Sequence, residues 1–290
     1  MPLAPVARSD WVTARGTLRF DRPLIAGILN LTPDSFYDGG LYVAADAAIA
    51  LAERLLAEGA DLLDLGGEST RPGAAPVSAE EEAARVVPLL REILRRWPDT
   101  TISVDTVKSD VARKALDAGA SIINDVSGLR LDHALGSVVA QAGAGLVLMH
   151  SRGTVDRMAS YEVATYGEDA VGEIASELSA SLDRARRAGV AEESIVLDPG
   201  IGFSKRTEQS VAVLAHLDRI LELGRPVLVG PSRKRFVGEL SGGLPVEDRL
   251  EGTIAACVIA LFAGARIFRV HDVAPVRRAL EVAEAIRVAP

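Results

Sequence analysis

Six stretches of helical-looking sequence end in a glycine, and a short apolar run follows each one. These glycines are Gly59, Gly119, Gly143, Gly189, Gly224 and Gly264. Glycine adopts the left-handed conformation that ends a helix at little steric cost, so each position predicts a helix-to-strand turn. The runs that follow are apolar throughout rather than alternating, which is typical of parallel strands buried on both faces. The repeat therefore predicts β–α units built on a parallel sheet.

Eight apolar runs are predicted as strands: 24–30, 62–65, 101–105, 121–124, 146–150, 195–198, 227–230 and 267–270. Amphipathic segments lie between them, such as 78–96, which opens with the capping box Ser78-Ala-Glu-Glu81. Eight strands, each followed by a helix, form either a closed barrel or an open doubly wound sheet. No Gly-x-Gly-x-x-Gly follows the first strand, which disfavours a dinucleotide-binding open sheet. We predict an α/β fold, a (β/α)8 TIM barrel.

The length suits one barrel domain over 1–290, in which 1–23 are an extension and a hairpin. Residues 11–22 alternate around Gly16, which predicts a β-hairpin that closes the bottom of the barrel. The net charge of −8 argues against nucleic-acid and anionic-membrane partners. The one cysteine, Cys257, lies in an apolar run and is expected to be buried and inert. Because the N-terminal residues lack a signal peptide, we expect a cytoplasmic protein.

Polar residues follow the predicted strands, at the end where βα barrels carry their active sites. They are Asn30, Asp105, Asn124, His150, Asp198, Lys234, Arg269 and His271. Singly, each carboxylate is explained as a helix cap or a loop brace, and His150 as a residue that only lines the rim. Together, two carboxylates, an amide and a lysine suit a planar heterocycle with N–H donors and a carbonyl. Arg269 and His271 point the same way from one strand end, which suits an anion.

Seven sequence blocks resemble the dihydropteroate synthase family, in that family's order and across about residues 24–273. Two resemble its active-site loops: Gly27-Ile-Leu-Asn-Leu-Thr-Pro-Asp-Ser-Phe-Tyr-Asp-Gly-Gly40 and Asp64-Leu-Gly-Gly-Glu-Ser-Thr-Arg-Pro-Gly73. The others are Ser103-Val-Asp-Thr106, Ile123-Asn-Asp-Val126, Leu197-Asp-Pro-Gly-Ile-Gly-Phe203, Ser232-Arg-Lys234 and Arg269-Val-His-Asp272. Two departures stand out. Ser151-Arg152 replaces a common Met-Gln, and Arg235 replaces a serine near the p-aminobenzoate carboxylate.

The resemblance implies a transferase that joins 6-hydroxymethyl-7,8-dihydropterin diphosphate to p-aminobenzoate. It implies pterin contacts from Asp105, Asn124, Asp198 and Lys234. It implies diphosphate contacts from Asn30, Arg269 and His271, with Asn30 also coordinating Mg2+. The implied p-aminobenzoate site comprises Thr70, Arg71, Pro72, Phe203 and Lys234. The implied catalytic residues are Asp105, Lys234, Arg269 and His271, and a homodimer is expected, with the apolar helix at 253–264 as a candidate interface.

Two alternative functions would use the same pterin-binding residues. A pterin-binding methyltransferase barrel needs neither the diphosphate-binding pair Arg269 and His271 nor the loop Gly67-Glu-Ser-Thr-Arg-Pro-Gly73, and both are present. A non-catalytic pterin-binding module has no need for Arg269 and His271 either. A general sugar-phosphate enzyme does not account for the flat set of carboxylates, amide and lysine. The sequence therefore favours the synthase reaction with small-molecule substrates.

Overall fold

The computed structural model describes residues 10–31, 40–70 and 73–289 of the chain. Its strands are β1 Asp10–Thr13, β2 Gly16–Arg19, β3 Leu24–Asn30, β4 Leu62–Gly66, β5 Thr101–Asp105, β6 Ile122–Asp125, β7 Gly145–Met149, β8 Ile195–Asp198, β9 Leu228–Val229 and β10 Ile267–Val270. Its α-helices are α1 Gly40–Ala57, α2 Ala79–Arg96, α3 Ser109–Asp117, α4 Leu135–Ala142, α5 Ala170–Arg187, α6 Thr207–Ala215, α7 Asp218–Leu221, α8 Arg235–Leu240, α9 Leu250–Ala263 and α10 Val273–Arg287. In the described part of the chain, none of the helices combines the length and apolar character that a membrane crossing requires.

Strands β3 to β10 form one parallel sheet in the order β8-β7-β6-β5-β4-β3-β10-β9. A parallel bridge between Leu197 and Val227 joins the two outer strands, so the sheet closes on itself. Helices cover its outer face, and the main hydrophobic core fills the layer between sheet and helices. The predicted (β/α)8 barrel is confirmed.

The predicted helix-to-strand glycines all have left-handed backbones, with φ between 60° and 113°. Ser78 caps α2 as predicted, and its side chain accepts a hydrogen bond from the Glu81 backbone N–H. The strand predicted at 227–230 is shorter than expected, because only Leu228 and Val229 pair with β10. Pro226 and Pro231, which flank this region, have no N–H to donate to a neighbouring strand.

The N-terminal hairpin closes the bottom of the barrel as predicted. Strands β1 and β2 are antiparallel, and Trp11 of β1 is fully buried. Its indole Nε1 donates to the backbone carbonyl of Ser194 at 2.8 Å. Its ring belongs to a cluster of side chains near the starts of the barrel strands: Leu24, Leu62, Ile122, Val196, Leu228 and Ile267. Because this end is filled with apolar side chains, polar chemistry is confined to the opposite rim.

Candidate active site

The carboxyl ends of the barrel strands surround a cavity of about 730 Å³. Nine of the residues predicted for the site line it: Asn30, Thr70, Asp105, Asn124, Asp198, Phe203, Lys234, Arg269 and His271. Arg71 and Pro72, which were also predicted, lie outside the described residues. The sequence blocks that carry these residues are therefore neighbours in space although they are spread along the chain.

A buried acidic group, Asp64 of β4, contacts two residues that line the cavity, Asn124 and Arg269, and was not among the predicted site residues. Its carboxylate accepts hydrogen bonds from the Ser103 hydroxyl at 2.6 Å and from the Asn124 side-chain amide at 3.2 Å. Arg269 Nε donates to the same carboxylate at 2.5 Å, and Arg269 Nη2 lies 3.1 Å from Asp105 Oδ2. Arg269 thus contacts two acidic side chains, so it holds the lining of the cavity together as well as being a candidate anion-binding group.

Asn124 and Asp105 present acceptors towards a ligand. Asn124 is 3% exposed, and its Oδ1 has no hydrogen-bond partner in the described structure. A buried acceptor left unpaired costs free energy, which a ligand N–H donor would recover. Burial raises the pKa of Asp105 to about 7, although the nearby Arg269 charge lowers it. These two side chains have the hydrogen-bonding capacity that a heterocycle edge requires.

The turn after β8 brings backbone and carboxylate close together. Asp198 is 4% exposed, and its Oδ1 accepts from the Gly200 N–H at 2.7 Å. Gly200 is left-handed (φ 69°), and a Cβ placed there would lie 2.0 Å from the His150 carbonyl oxygen. Only glycine fits at that position, which explains the Asp-Pro-Gly sequence. Burial raises the pKa of Asp198 to about 6.

Lys234 completes the set from the loop after β9. Its ammonium lies 3.7 Å from the centroid of the Phe203 ring, a cation–π contact. Burial, together with the Arg269 charge, lowers the pKa of Lys234 to about 7, and Asp198 opposes that shift. Lys234 therefore lies between the predicted pterin carboxylate and the predicted p-aminobenzoate wall.

A buried network behind the β8 turn was not predicted. Lys205 is 1% exposed, and its Nζ donates to His150 Nδ1 at 2.8 Å and to the Phe203 carbonyl at 3.0 Å. His150 Nε2 lies 3.0 Å from the Glu177 carboxylate, which also binds Arg152. His150 is therefore held inside the wall by its two partners. A signal for this was available in sequence, since Lys205 directly follows the glycine-rich turn.

The two departures from the family pattern lie apart from each other. Arg152 forms ion pairs with Glu177 and with Glu173 on α5, and it stacks on the Tyr166 ring. Arg235 is exposed at the edge of the cavity, with its guanidinium 4.6 Å from the centroid of the Tyr161 ring. Arg152 thus belongs to the network behind the wall, whereas Arg235 lies on the open side of the cavity.

The donor set is compatible with Mg2+ that arrives together with phosphate groups. Among residues 10–31, 40–70 and 73–289, no group of three or more His, Cys, Asp or Glu side chains is arranged to hold a metal ion. Asn30 lines the cavity, and its Oδ1 faces Gly66, where an added Cβ would lie 3.4 Å away. Mg2+ keeps several waters and commonly binds few protein oxygens plus substrate phosphates. A single amide oxygen beside an anion site fits that pattern.

Comparisons with known proteins agree with this geometry. A family model described as "Pterin binding enzyme" matches residues 26–271. The chain is 44% identical to the dihydropteroate synthase of a Synechocystis species, covering 91% of this chain and 90% of that protein. It is 42% identical to a Mycobacterium leprae protein named "Inactive dihydropteroate synthase 2", covering 92% of this chain and 91% of that protein.

A solved structure has the same fold. The Xanthomonas albilineans dihydropteroate synthase with 4-aminobenzoic acid superposes with a TM-score of 0.89 and 44% identity, covering 97% of this chain and 99% of that one. Because one similar relative is named inactive, overall identity alone does not decide activity. Whether this chain is active therefore depends on the side chains that line the cavity.

Proposed function

The chain belongs to the dihydropteroate synthase family of pterin-binding enzymes, and we infer that it is a transferase that condenses 6-hydroxymethyl-7,8-dihydropterin diphosphate with p-aminobenzoate. The products are 7,8-dihydropteroate and diphosphate. One observation carries this inference. Asn124, whose buried Oδ1 has no hydrogen-bond partner among the described residues, lines the same cavity as Asp198 and Lys234, and the anion-binding candidates Arg269 and His271 line it too.

We propose that the pterin lies against Asp105, Asn124, Asp198 and Lys234. Carboxylate and amide oxygens accept from the N–H groups of the ring edge, and the Lys234 ammonium donates to its carbonyl. A site built from buried polar groups rejects a ring that lacks the matching donors, because its own groups are then left unpaired. This explains why so many polar side chains are buried at one end of the barrel.

In the proposed reaction the bond between the pterin methylene carbon and the diphosphate oxygen breaks first. The electron pair leaves with the diphosphate, and positive charge spreads into the pterin ring. Arg269 and His271 stabilise the departing anion, and the Asp105 carboxylate faces the developing cation. The arylamine nitrogen then bonds to the methylene carbon and loses a proton. No covalent enzyme intermediate is required.

We propose that Mg2+ is bound through Asn30 and the diphosphate. The metal supplies Lewis-acid stabilisation of phosphate charge. Asn30 contributes a neutral oxygen at the end of β3, so the protein adds no further negative charge beside the diphosphate. This arrangement predicts that the metal binds weakly to the free protein and tightly in the presence of diphosphate.

We propose that p-aminobenzoate binds between Phe203, Lys234 and Thr70, with Arg71 and Pro72 from the same loop. The Phe203 ring, held by the Lys234 ammonium, offers an apolar face to the arylamine ring. The Phe203 carbonyl accepts a hydrogen bond from the buried Lys205, which also lines the cavity. The aromatic wall is thus anchored on both sides before the arylamine arrives.

We further propose that the protein is a homodimer that associates through α9 and α10. These helices pack side by side and expose large apolar side chains, including Ile259 at 55%, Val282 at 63% and Ile286 at 64%. Several large exposed apolar side chains on two packed helices suit an interaction surface. Sedimentation velocity should show a dimer, and Ile259→Glu should shift it to monomer. A monomeric wild-type protein at micromolar concentration would contradict this proposal.

The reaction is tested by mixing purified protein with the pterin diphosphate, Mg2+ and p-aminobenzoate, and by following dihydropteroate and diphosphate with mass spectrometry. Both products should form in equal amounts. The Asp198→Ala variant is the matched control and should form neither above background. Wild-type protein that binds the pterin but forms no product would place this chain with inactive relatives.

A further inference from the structure

Ser232 and His271 lie on neighbouring loops, after β9 and β10, and they are in contact twice. The His271 backbone N–H donates to Ser232 Oγ at 3.2 Å. The same Oγ lies 3.0 Å from the ring nitrogen Nδ1 of His271. Ser232 lines the cavity but is only 4% exposed, so little water reaches its side chain. The hydrogen bonds of this buried hydroxyl must therefore be satisfied by protein groups or by a ligand.

The direction of the second contact follows from the hydroxyl proton. A buried hydroxyl proton without an acceptor costs free energy. The His271 backbone N–H is a donor and cannot accept it. Within the described residues, the other hydrogen-bond partner of Ser232 Oγ is His271 Nδ1. The hydroxyl therefore donates to Nδ1, which carries a lone pair, and the ring proton is on Nε2.

The ring is also uncharged near neutral pH. Burial, together with the charges of Arg269 and Arg233, lowers the pKa of His271 to about 3, and Asp272 opposes that shift. The ring lines the cavity, and its Nε2 has no hydrogen-bond partner among the described residues. His271 thus offers one N–H donor at the side of the ring away from Ser232.

A second link between the two loops holds this geometry. Arg233 has a left-handed backbone (φ 57°), which is unfavourable for a residue with a side chain. Its Nε and Nη2 bind the Asp272 carboxylate at 2.9 and 2.6 Å. Its backbone N–H donates to Thr253 Oγ1 at 3.1 Å, and its carbonyl accepts from Arg249 at 3.0 Å. Backbone strain persists at a site only where the surroundings enforce it, as they do here.

We propose that Ser232 is a positioning residue that fixes His271 as the neutral Nε2–H tautomer, so that His271 presents a hydrogen-bond donor to the diphosphate. This proposal rests on the proposed function for the identity of the anion, whereas the tautomer follows from the contacts alone. A fixed neutral donor beside the Arg269 cation stabilises charge on the departing oxygen without reorganising during the reaction. Arg269 then supplies positive charge, and the Nε2–H of His271 supplies a hydrogen bond of fixed direction.

The tautomer is read directly by 15N nuclear magnetic resonance of the imidazole nitrogens in the substrate-free protein. The chain has only four histidines, so the His271→Gln variant assigns the signal by its loss. We expect a protonated Nε2 and an unprotonated Nδ1 from pH 6 to pH 8. A ring protonated on Nδ1, or on both nitrogens, overturns the proposal. This measurement uses no substrate, so its outcome is separate from that of the product assay.

The positioning role is tested with inorganic pyrophosphate and Mg2+ by calorimetry. Ser232→Ala should give a mixture of tautomers and weaken pyrophosphate binding roughly five- to tenfold, as for one hydrogen bond. Ser232→Thr keeps the hydroxyl and should restore both the tautomer and the affinity. The affinity for the pterin alcohol, which lacks diphosphate, should remain at the wild-type value in Ser232→Ala. An alanine variant with the wild-type tautomer and pyrophosphate affinity would overturn the proposal.

Discussion

Arg269 and Asp64 form a buried ion pair on strands that flank β3, with Nε of the arginine 2.5 Å from Oδ2 of the aspartate. Asp64 is 2% exposed, and Ser103 and Asn124 also donate to it. One carboxylate therefore orients Ser103 and two residues that line the cavity, Asn124 and Arg269. This makes Asp64 a structural requirement of the site.

Replacing Asp64 with alanine should destabilise the protein. Among the described residues, the change leaves Arg269 with Asp105 as its remaining ion-pair partner, and breaking a buried pair from one side costs about 3 kcal/mol. Urea denaturation should show this loss in the free energy of unfolding. Asp99→Ala, at an exposed position, is the control and should change stability by less than about 0.5 kcal/mol. Equal midpoints for the two variants would show that the pair contributes nothing.

Asp198→Ala and Lys234→Ala should each abolish measurable pterin binding. Each variant leaves polar groups of a buried ligand without a partner, a loss that can reach about 10^4-fold in affinity. Calorimetry with the pterin alcohol measures it directly. Lys114→Ala, an exposed lysine on α3, should bind like the wild type. Near-normal affinity in both site variants would remove Asp198 and Lys234 from the pterin site.

His271→Ala should weaken binding of diphosphate-bearing pterin far more than binding of the bare pterin alcohol, because only the former carries the anion. Arg269→Ala should weaken both ligands, because Arg269 also contacts the acidic side chains of Asp64 and Asp105. The ratio of the two dissociation constants separates these cases in each variant. Equal losses of both ligands in His271→Ala would mean that the histidine only braces the cavity.

The stability of the protein should depend on pH through Asp198. Burial raises the pKa of Asp198 to about 6, against a value near 3.9 in the unfolded chain. The protonated form thus stabilises the fold below about pH 4, and this contribution is lost as pH rises through about 6. Asp198→Asn cannot ionise, so its stability relative to wild type should increase by on the order of 2 kcal/mol between pH 4 and pH 7.

Asp132 provides a control of opposite sign for that measurement. Burial raises the pKa of Asp132, but hydrogen bonds from Ser109 and Ala134 outweigh it and hold the pKa below its usual value. Ionised Asp132 therefore stabilises the fold, and Asp132→Asn should lose stability relative to wild type as pH rises. Because both the folded and the unfolded pKa of Asp132 lie below about 4, its effect appears as the pH rises from about 2 to about 4. Thermal unfolding followed by circular dichroism from about pH 2 to pH 7 therefore compares the two variants. Curves that shift in the same direction would contradict the burial argument for Asp198.

The sequence by itself determined the barrel, because the signals for its elements are local. A glycine at the end of a helix, an apolar run after it and a serine cap before the next helix act within a few residues. Gly119 and Ser78 behave as their local sequence requires. The strand ends also bring Asp105, Asn124 and Asp198 to one rim, because parallel strands in a barrel share one orientation. The short length of β9 also has a local cause, because the two prolines that flank it limit its pairing.

The tertiary structure decided which polar groups are paired and which are available to a ligand. Arg269 and Asp64 are 205 residues apart in the chain, and their contact arises only because their strands lie on either side of β3 in the barrel. Lys205 and His150, 55 residues apart, meet inside the wall for a similar reason. Ser232 reaches His271 because their strands are neighbours, and that contact selects one tautomer of the ring. Charge state and hydrogen bonding depend on burial and on partners distant in sequence, which local patterns do not encode.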